Sequence, residues 1–191
     1  MTDTLTKLFG SAARIKLLRL FLFNPNQTFI AAEAASRARV PAKDTQRELN
    51  VFKKIGLISR SRGQLARYTL NSNFPYLLAL QNLLLNAPVR ADEIYERVRH
   101  TGIIKLVVVG GVFVGEWEGR VDLLVVGDRI KDEKLRKSIR LLESEIGKEI
   151  RYTLLSTDEF FYRLNMNDHL VRDVLDYNHR IVHDRLDIGL E

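Results

Sequence analysis

The chain has 191 residues, of which 46% are hydrophobic and 28% charged, a composition typical of a folded globular protein with room for two small domains. It contains no cysteine, so disulfide bonds, thiolate metal sites and a cysteine nucleophile are excluded. No apolar run approaches the roughly 20 residues of a membrane-spanning helix, and the first residues lack the pattern of a signal peptide. We therefore expect a cytoplasmic protein that has no membrane partner.

The net charge of +6 is divided unevenly along the chain. Residues 1–86 hold 13 Lys and Arg against 4 Asp and Glu, whereas residues 87–191 hold 17 against 20. A basic half beside a slightly acidic half indicates a polyanionic partner for the basic half. Nucleic acid is the first such partner to consider, and the alternatives are a membrane surface or a contribution to solubility alone.

The first half has the element order of a winged helix-turn-helix. Apolar residues at helical spacing, β-branched runs and turn signals at Pro41, Gly56 and Gly63 define its elements. The predicted elements are, in chain order, a helix over 11–23, a strand over 28–30, helices over 31–37 and 41–55, strands over 57–62 and 65–70, and an apolar helix over 76–85. We expect them to form an N-terminal DNA-binding domain over residues 1–86.

The helix predicted over 41–55 and the hairpin that follows it carry the side chains that DNA recognition needs. The candidate DNA-binding residues are Lys43, Thr45, Gln46, Arg47, Asn50, Lys53, Lys54, Arg60, Arg62 and Arg67. Arginine can bind guanine in the major groove, glutamine and asparagine can pair with adenine, and lysine neutralises phosphates. The alternative is a solvated surface that binds another protein, since a fold alone does not establish function. Because acidic residues are scarce here, we favour double-stranded DNA.

Two segments resemble the ArsR-type winged-helix regulators. They are Leu-Phe-Gly-Ser-Ala-Ala-Arg-Ile-Lys-Leu-Leu at residues 8–18, and Glu-Leu at 48–49 followed by Ile-Gly-Leu-Ile at 55–58. The resemblance covers about residues 5–85 and implies a dimeric repressor. From it we expect a homodimer joined through the helices over 11–23 and 76–85. The metal sensors of that family use Cys and His ligands, which this segment lacks, so no metal or other cofactor is expected.

The second half, residues 87–191, alternates strands and helices, which predicts an α/β domain. The continuous apolar runs 103–109 and 121–126 predict strands that are buried on both faces. The other predicted elements are helices over 91–100, 132–146, 157–165 and 168–176, and strands over 149–155 and 181–183. The fold class expected for the whole chain is therefore α+β in the winged helix and α/β, with a mixed sheet, in the C-terminal domain.

Residues 107–116 and 120–128 resemble the two motifs of the minimal nucleotidyltransferase fold. That family has Gly-Ser after its first strand, Asp-x-Asp on its second strand and a third acid on a later strand. Two or three carboxylates are needed because they hold the two divalent ions of the reaction. In this chain Gly111 takes the place of the serine and Arg120 that of the first aspartate, so only Asp122 remains.

These departures predict a catalytically inactive domain. The third acid falls on Glu149 or Arg151, and a cation beside a metal site repels the metal. The vestigial nucleotide site consists of Gly110, Gly111, Arg120 and Asp122. A nucleotide could still bind there, with Arg120 on a phosphate. The plainer interpretation is that Arg120 and Asp122 form a surface ion pair or a polar strand end.

The sequence thus predicts a transcription regulator and not an enzyme. Its C-terminal domain would serve dimerisation, sensing or the binding of a nucleotide or protein partner. Two alternatives stay open: an active nucleotidyltransferase that uses the winged helix as a substrate adaptor, and an antitoxin-like module that binds a protein. His179 and His183 have metal-ligand spacing only in a helix, and we expect them near a strand start, where they do not converge.

Overall fold

The structure of the chain is a computed structural model that describes residues 4–63, 65–85, 91–116 and 121–188. Its residues group into two compact units. Unit 1 is made of residues 1–87 together with 141–148, and unit 2 of residues 88–140 together with 149–191. No pattern in the sequence indicates that 141–148 belongs with the first unit. In the described ranges, no helix combines the length and the apolar character that crossing a membrane would require.

Unit 1 combines helices with a three-stranded antiparallel sheet. Its elements are helices α1 (Thr4–Phe9), α2 (Ala12–Leu22), α3 (Ala31–Ala38), α4 (Ala42–Lys54) and α5 (Leu77–Leu85), and strands β1 (Thr28–Ile30), β2 (Ile58–Arg60) and β3 (Arg67–Leu70). The strand order is β1-β3-β2, with Thr28 paired to Thr69 and Ile58 to Leu70. Helix α1 is additional to the elements expected from the sequence, and the others begin and end within a few residues of the expected positions.

Helix α2 forms the centre of unit 1. Ser11 caps its first turn by accepting the backbone N–H of Arg14 at 3.2 Å. Every residue from 17 to 22 is buried, so the helix is enclosed on most sides. The ring of Phe21 meets Phe29 of β1 edge to face, with centroids 5.5 Å apart. The expectation that this helix forms part of a dimer interface is therefore wrong, because its apolar side chains lie in the core of their own chain.

Hydrogen bonds connect the segment 141–148 to α2 and to Asn24, which follows that helix. The buried side-chain amide of Asn24 donates to the carbonyl oxygen of Gly147 at 2.7 Å, and Arg19 donates to that of Glu145 at 2.9 Å. Gly147 has a φ of +80°, and a Cβ there would lie 2.5 Å from the carbonyl carbon of Arg19. Glycine is therefore required at this close approach.

Unit 2 is built on a four-stranded mixed sheet. The elements are α6 (Ala91–Val98), β4 (Ile103–Val109), β5 (Leu123–Asp128), α7 (Asp132–Ile146), β6 (Tyr152–Leu155), α8 (Thr157–Asn165), α9 (His169–Leu175) and β7 (Arg180–Asp184). The last residues of α7, from 141 onward, are those grouped with unit 1. The strand order is β6-β5-β4-β7, with β5 parallel to β6 and β4 antiparallel to both of its neighbours.

The two central strands of unit 2 are buried on both faces. Residues 106–109 and 123–126 have no exposed surface. One face of the sheet packs against α8 and α9 through Phe160, Val171 and Val174. The prediction of two doubly buried strands is confirmed, because consecutive side chains of a strand point to opposite faces of the sheet and those of both strands are buried.

Candidate functional site

Helix α4 turns one line of polar side chains toward solvent. An α-helix turns about 100° per residue, so residues 43, 47, 50 and 54 project within about 60° of one another. All four side chains are exposed. We call these residues the exposed row, and they are Lys43, Arg47, Asn50 and Lys54. The opposite side of the helix, with Leu49 and Phe52, is buried in the core of unit 1.

Thr45 lies on the buried side of α4 and is not available to DNA. Its exposure is 1%, and its hydroxyl donates to the carbonyl oxygen of Val40 at 3.4 Å. Leu49 and Phe52, four and seven residues later, share its helical phase and are buried too. The prediction that Thr45 contacts DNA is therefore wrong.

Gln46 and Lys53 flank the exposed row on one side, and both are exposed. Nε2 of Gln46 lies 3.3 Å from Oδ1 of Asn50 and 3.4 Å from the hydroxyl oxygen of Tyr68 in β3. Because Tyr68 is buried in the hairpin, Gln46 links α4 to that hairpin. Both contacts use Nε2, so a base contact through that nitrogen would require Gln46 to give up one of these partners, whereas its Oε1 is not used in either contact.

The hairpin of β2 and β3 is cationic. Arg60, Arg62 and Arg67 are exposed, and residues 56–70 include no Asp or Glu. The N–H of Ser61 donates to the carbonyl oxygen of Arg67 at 2.9 Å, and its hydroxyl accepts the N–H of Arg67 at 3.0 Å, which closes the hairpin. We call the exposed row, its two flanking residues and these three arginines the basic surface.

Arg47 of the exposed row has two acidic neighbours. Its Nη2 lies 3.4 Å from Oδ1 of Asp44 and 3.5 Å from Oε1 of Glu48, while its side chain stays 62% exposed. Both distances are long for a charge-assisted hydrogen bond, so the pairs are weak. A guanidinium has five N–H donors, and these contacts orient it without removing it from solvent.

In unit 2, the carboxylate of Asp122 is buried and hydrogen-bonded through both oxygens. Arg151, just before β6, donates to it from Nε and Nη2, each at 2.9 Å, and from its backbone N–H at 2.8 Å. The backbone N–H of Val112 donates to Oδ1 at 3.0 Å. The hydrogen bond to Asp122 raises the pKa of Arg151, against the opposing effect of partial burial. The four bonds occupy the acceptor positions of the carboxylate.

Gly111 lies against the same carboxylate, in a 3₁₀ turn over Gly111–Phe113. Its φ is +48°, and a Cβ at this position would overlap Oδ1 of Asp122. A serine, which the resemblance to the nucleotidyltransferase fold predicts at this position, therefore does not fit while Asp122 keeps its place. The N–H of Gly110 donates to the carbonyl oxygen of Asp122 at 2.9 Å, so the structure brings these three residues together.

The residues at this position do not fit a pair of divalent ions. Two-metal chemistry needs several carboxylates with free oxygen atoms, whereas Asp122 is bonded to Arg151 and to backbone N–H groups. Among the residues that the structure describes, no group of three or more His, Asp or Glu could hold a metal ion. Asp122 does form an ion pair, but its partner is Arg151, and the Asp122 side of the pair is buried. Arg120, the partner expected from the sequence, lies outside the described residues.

The two histidines near the C-terminus have separate local contacts. The ring of His183 in β7 stacks on Tyr95, with centroids 4.0 Å apart. Burial lowers the pKa of His183, and its Nε2 is buried without a hydrogen-bond partner in the described part of the chain. His179 lies outside the strand, with Nδ1 2.9 Å from the carbonyl oxygen of Tyr177.

Sequence reasoning missed the partners of two buried acids, Glu48 and Asp122. Nε of Arg14 lies 2.8 Å from Oε2 of Glu48, and Asp122 pairs with Arg151 as described. Each acid occupies a position that the sequence pattern assigns to the core. Glu48 lies beside Leu49 on the buried side of α4, and Asp122 lies at the start of an apolar strand. A single acid in such a pattern indicates a buried ion pair, since an unpaired buried charge is costly.

No protein-family model, curated protein or solved structure matches the chain. The function therefore has to be inferred from two sites. One is the basic surface, with its exposure and its charge. The other is the carboxylate of Asp122, whose acceptor positions are already occupied.

Proposed function

We propose that the chain is a DNA-binding transcription regulator with an N-terminal winged helix-turn-helix and an inactive nucleotidyltransferase-like C-terminal domain. The observation that carries the proposal is the exposed row of α4, next to an arginine hairpin without any acid. In a helix-turn-helix, the second helix enters the major groove and its outward side chains contact base edges. The order of α3, α4 and the hairpin agrees with that arrangement.

The exposed row supplies the two kinds of contact that specific DNA binding needs. Arg47 and Asn50 lie in the middle of the row and fit base recognition, because arginine binds guanine and asparagine binds adenine through paired hydrogen bonds. Lys43 and Lys54 lie at the ends of the row and fit phosphates. The arginines of the hairpin add phosphate contacts beside the groove.

Removal of the charges in the exposed row tests this proposal. Fluorescence anisotropy would compare the wild type with the triple variant Lys43→Gln, Arg47→Gln, Lys54→Gln on a random-sequence duplex. With six or more phosphates neutralised, the wild-type affinity should fall about a thousandfold between about 50 mM and about 200 mM salt. Loss of the two phosphate contacts of Lys43 and Lys54 should lower the slope of log affinity against log salt by about 1.8, and by up to about 2.7 if Arg47 also neutralises a phosphate on a random duplex.

The matched control removes the same charges from α7 of unit 2. Lys134→Gln, Lys137→Gln, Arg140→Gln also changes two lysines and one arginine, all of them exposed. We expect this control to keep the wild-type salt slope. The proposal is contradicted if the wild type does not bind duplex DNA at low salt. It is also contradicted if both triple variants lose the same amount of affinity for the duplex.

We further propose that the protein binds DNA as a homodimer joined through α5. This helix contains no charged residue, yet Leu78 is 70% and Leu83 is 43% exposed. A helix that leaves large apolar side chains in water indicates a partner, and two-fold symmetry suits the paired half-sites that helix-turn-helix proteins bind.

Leu78→Glu is expected to turn the dimer into a monomer, because it places a charge in the apolar contact. Sedimentation velocity would measure the change, with circular dichroism to confirm folding. Leu65→Glu, in the hairpin, is the matched control, since Leu65 is 62% exposed and lies outside α5. A wild type that stays monomeric at every concentration would exclude this interface.

An antitoxin-like role of the C-terminal domain is supported by one observation. Tyr162 of α8 and Met166, the residue that caps the C-terminus of this helix, are four positions apart and are 67% and 64% exposed. An exposed aromatic side chain and an exposed methionine close together in the chain are typical of a protein contact. A module that only binds protein would show no salt-dependent affinity for a duplex, so the anisotropy measurement separates the two functions.

A further inference from the structure

A buried carboxylate lies directly behind the exposed row of α4. Glu48 has no exposed surface, although it belongs to a helix whose other side faces solvent. Taking a carboxylate out of water costs several kcal/mol unless a counter-charge accompanies it. Its partners therefore fix how α4 is rotated about its own axis.

Arg14 of α2 provides that counter-charge. Its Nε donates to Oε2 of Glu48 at 2.8 Å, and Nη2 lies 3.5 Å from Oε1. The same guanidinium donates from Nη1 to the carbonyl oxygen of Phe9, the last residue of α1, at 3.1 Å. One side chain thus ties the end of α1, the first turn of α2 and the middle of α4 together.

The chain of contacts continues to the surface that we assign to DNA. Oε1 of Glu48 lies 3.5 Å from Nη2 of both Arg14 and Arg47. Glu48 therefore stands between the arginine that ties three helices together and the exposed arginine in the middle of the row. A shift of Glu48 would change both the rotation of α4 and the direction of the Arg47 side chain.

We propose that Arg14 is a positioning residue for DNA recognition, which acts through Glu48 to aim Arg47 at a base edge. This inference rests on the proposed function, because it assigns a role within the same DNA interface. The competing interpretation is that Arg14 only stabilises the fold. The two differ in whether the loss of the pair reduces specificity in a protein that remains folded.

The test replaces both charges by apolar side chains of similar length. Replacement of a whole buried pair by hydrophobic residues is often neutral for stability, whereas loss of one partner is not. The variant Arg14→Met, Glu48→Met should therefore stay folded by circular dichroism and thermal denaturation. The probes are a duplex that the wild type enriches from a random pool and an unselected duplex of equal length.

We expect the double variant to bind the enriched duplex about tenfold more weakly and the unselected duplex as the wild type does, since one base contact is lost. Arg47→Ala should cost about tenfold in the wild type and much less in the double variant. The control pair is Glu96→Met, Arg99→Met, which removes an exposed ion pair of 2.7 Å in α6 and its C-terminal turn and should change neither ratio.

Arg14→Lys gives a second route if the double variant does not fold. Lysine keeps the charge but lacks the guanidinium, whose separate N–H groups contact Glu48 and Phe9 at once. The variant should therefore stay folded, while the ratio of its affinities for the enriched and unselected duplexes falls. The positioning role alone is overturned if a folded variant keeps the wild-type ratio of affinities for the two duplexes and Arg47→Ala still weakens its binding to the enriched duplex. A wild type that binds neither duplex overturns the proposed function and this role together.

Discussion

Replacement of Arg151 by methionine is expected to lower the free energy of unfolding of unit 2 by about 3 kcal/mol. The substitution leaves the carboxylate of Asp122, which has no exposed surface, without the guanidinium that now neutralises it. Removal of one partner of a buried pair typically costs about 3–5 kcal/mol. The lower end applies here because the Arg151 side chain is 41% exposed and water reaches that side of the pair.

Hydrogen exchange of the amides of β4 and β5 would measure this loss, since it reports local stability rather than that of the whole chain. Arg172→Met is the matched control, because Nε of Arg172 and Oδ2 of Asp176 form an exposed pair of 2.9 Å. Such a pair within a helix contributes about 0.3–0.5 kcal/mol. Equal protection in the two variants would show that Asp122 does not depend on Arg151.

The positions of most helices and strands follow from patterns within a short stretch of sequence. The doubly buried strands, the helix after Pro41 and the stop at Gly56 depend on residues close to one another in the chain. Helix α1 cannot be predicted in this way, because it has only six residues, and Leu5 and Leu8 alone do not establish a helical pattern. The grouping of residues 141–148 with unit 1 cannot be predicted either, since their hydrogen bonds with Arg19 and Asn24 join distant parts of the chain.

The types of residue in α4 predict the candidate DNA site, and their positions around the helix show which of them are buried. Thr45 has the chemistry of a DNA contact, but it repeats with Leu49 and Phe52 on the buried side of α4. Glu48 is buried on the same side of the helix. Counting about 100° per residue along α4 excludes Thr45 and indicates that Glu48 needs a buried counter-charge.

The environment of Asp122 cannot be predicted in the same way. Its partner depends on the parallel pairing of β5 with β6, where Leu123 lies beside Tyr152. A shift of one residue in that register would turn Arg151 to the other face of the sheet. The sequence alone permits either Glu149 or Arg151 at the position of the third acid, and only the register identifies Arg151 as the partner.

Gly111→Ser introduces the serine that the resemblance to the nucleotidyltransferase fold predicts at this position, and it is expected to destabilise unit 2 by about 3 kcal/mol. The backbone at Gly111 has a φ of +48°, which costs an L-residue about 1–2 kcal/mol. The new Cβ also overlaps Oδ1 of Asp122, so the carboxylate must move away from Arg151 and Val112. Forcing atoms into a packed site adds about 1–3 kcal/mol.

Gly115→Ser separates these two costs, because Gly115 has a φ of +86° but a Cβ there would meet no described atom within 4 Å. It should therefore lose only the backbone share of about 1–2 kcal/mol in the same hydrogen-exchange measurement. Neither the wild type nor Gly111→Ser should transfer labelled nucleotide from ATP with Mg²⁺, since one carboxylate held in an ion pair does not organise two ions. Equal stability of the two serine variants would show that Asp122 gives way to the new side chain at little cost. Nucleotide transfer by either protein would show that the domain is catalytically active.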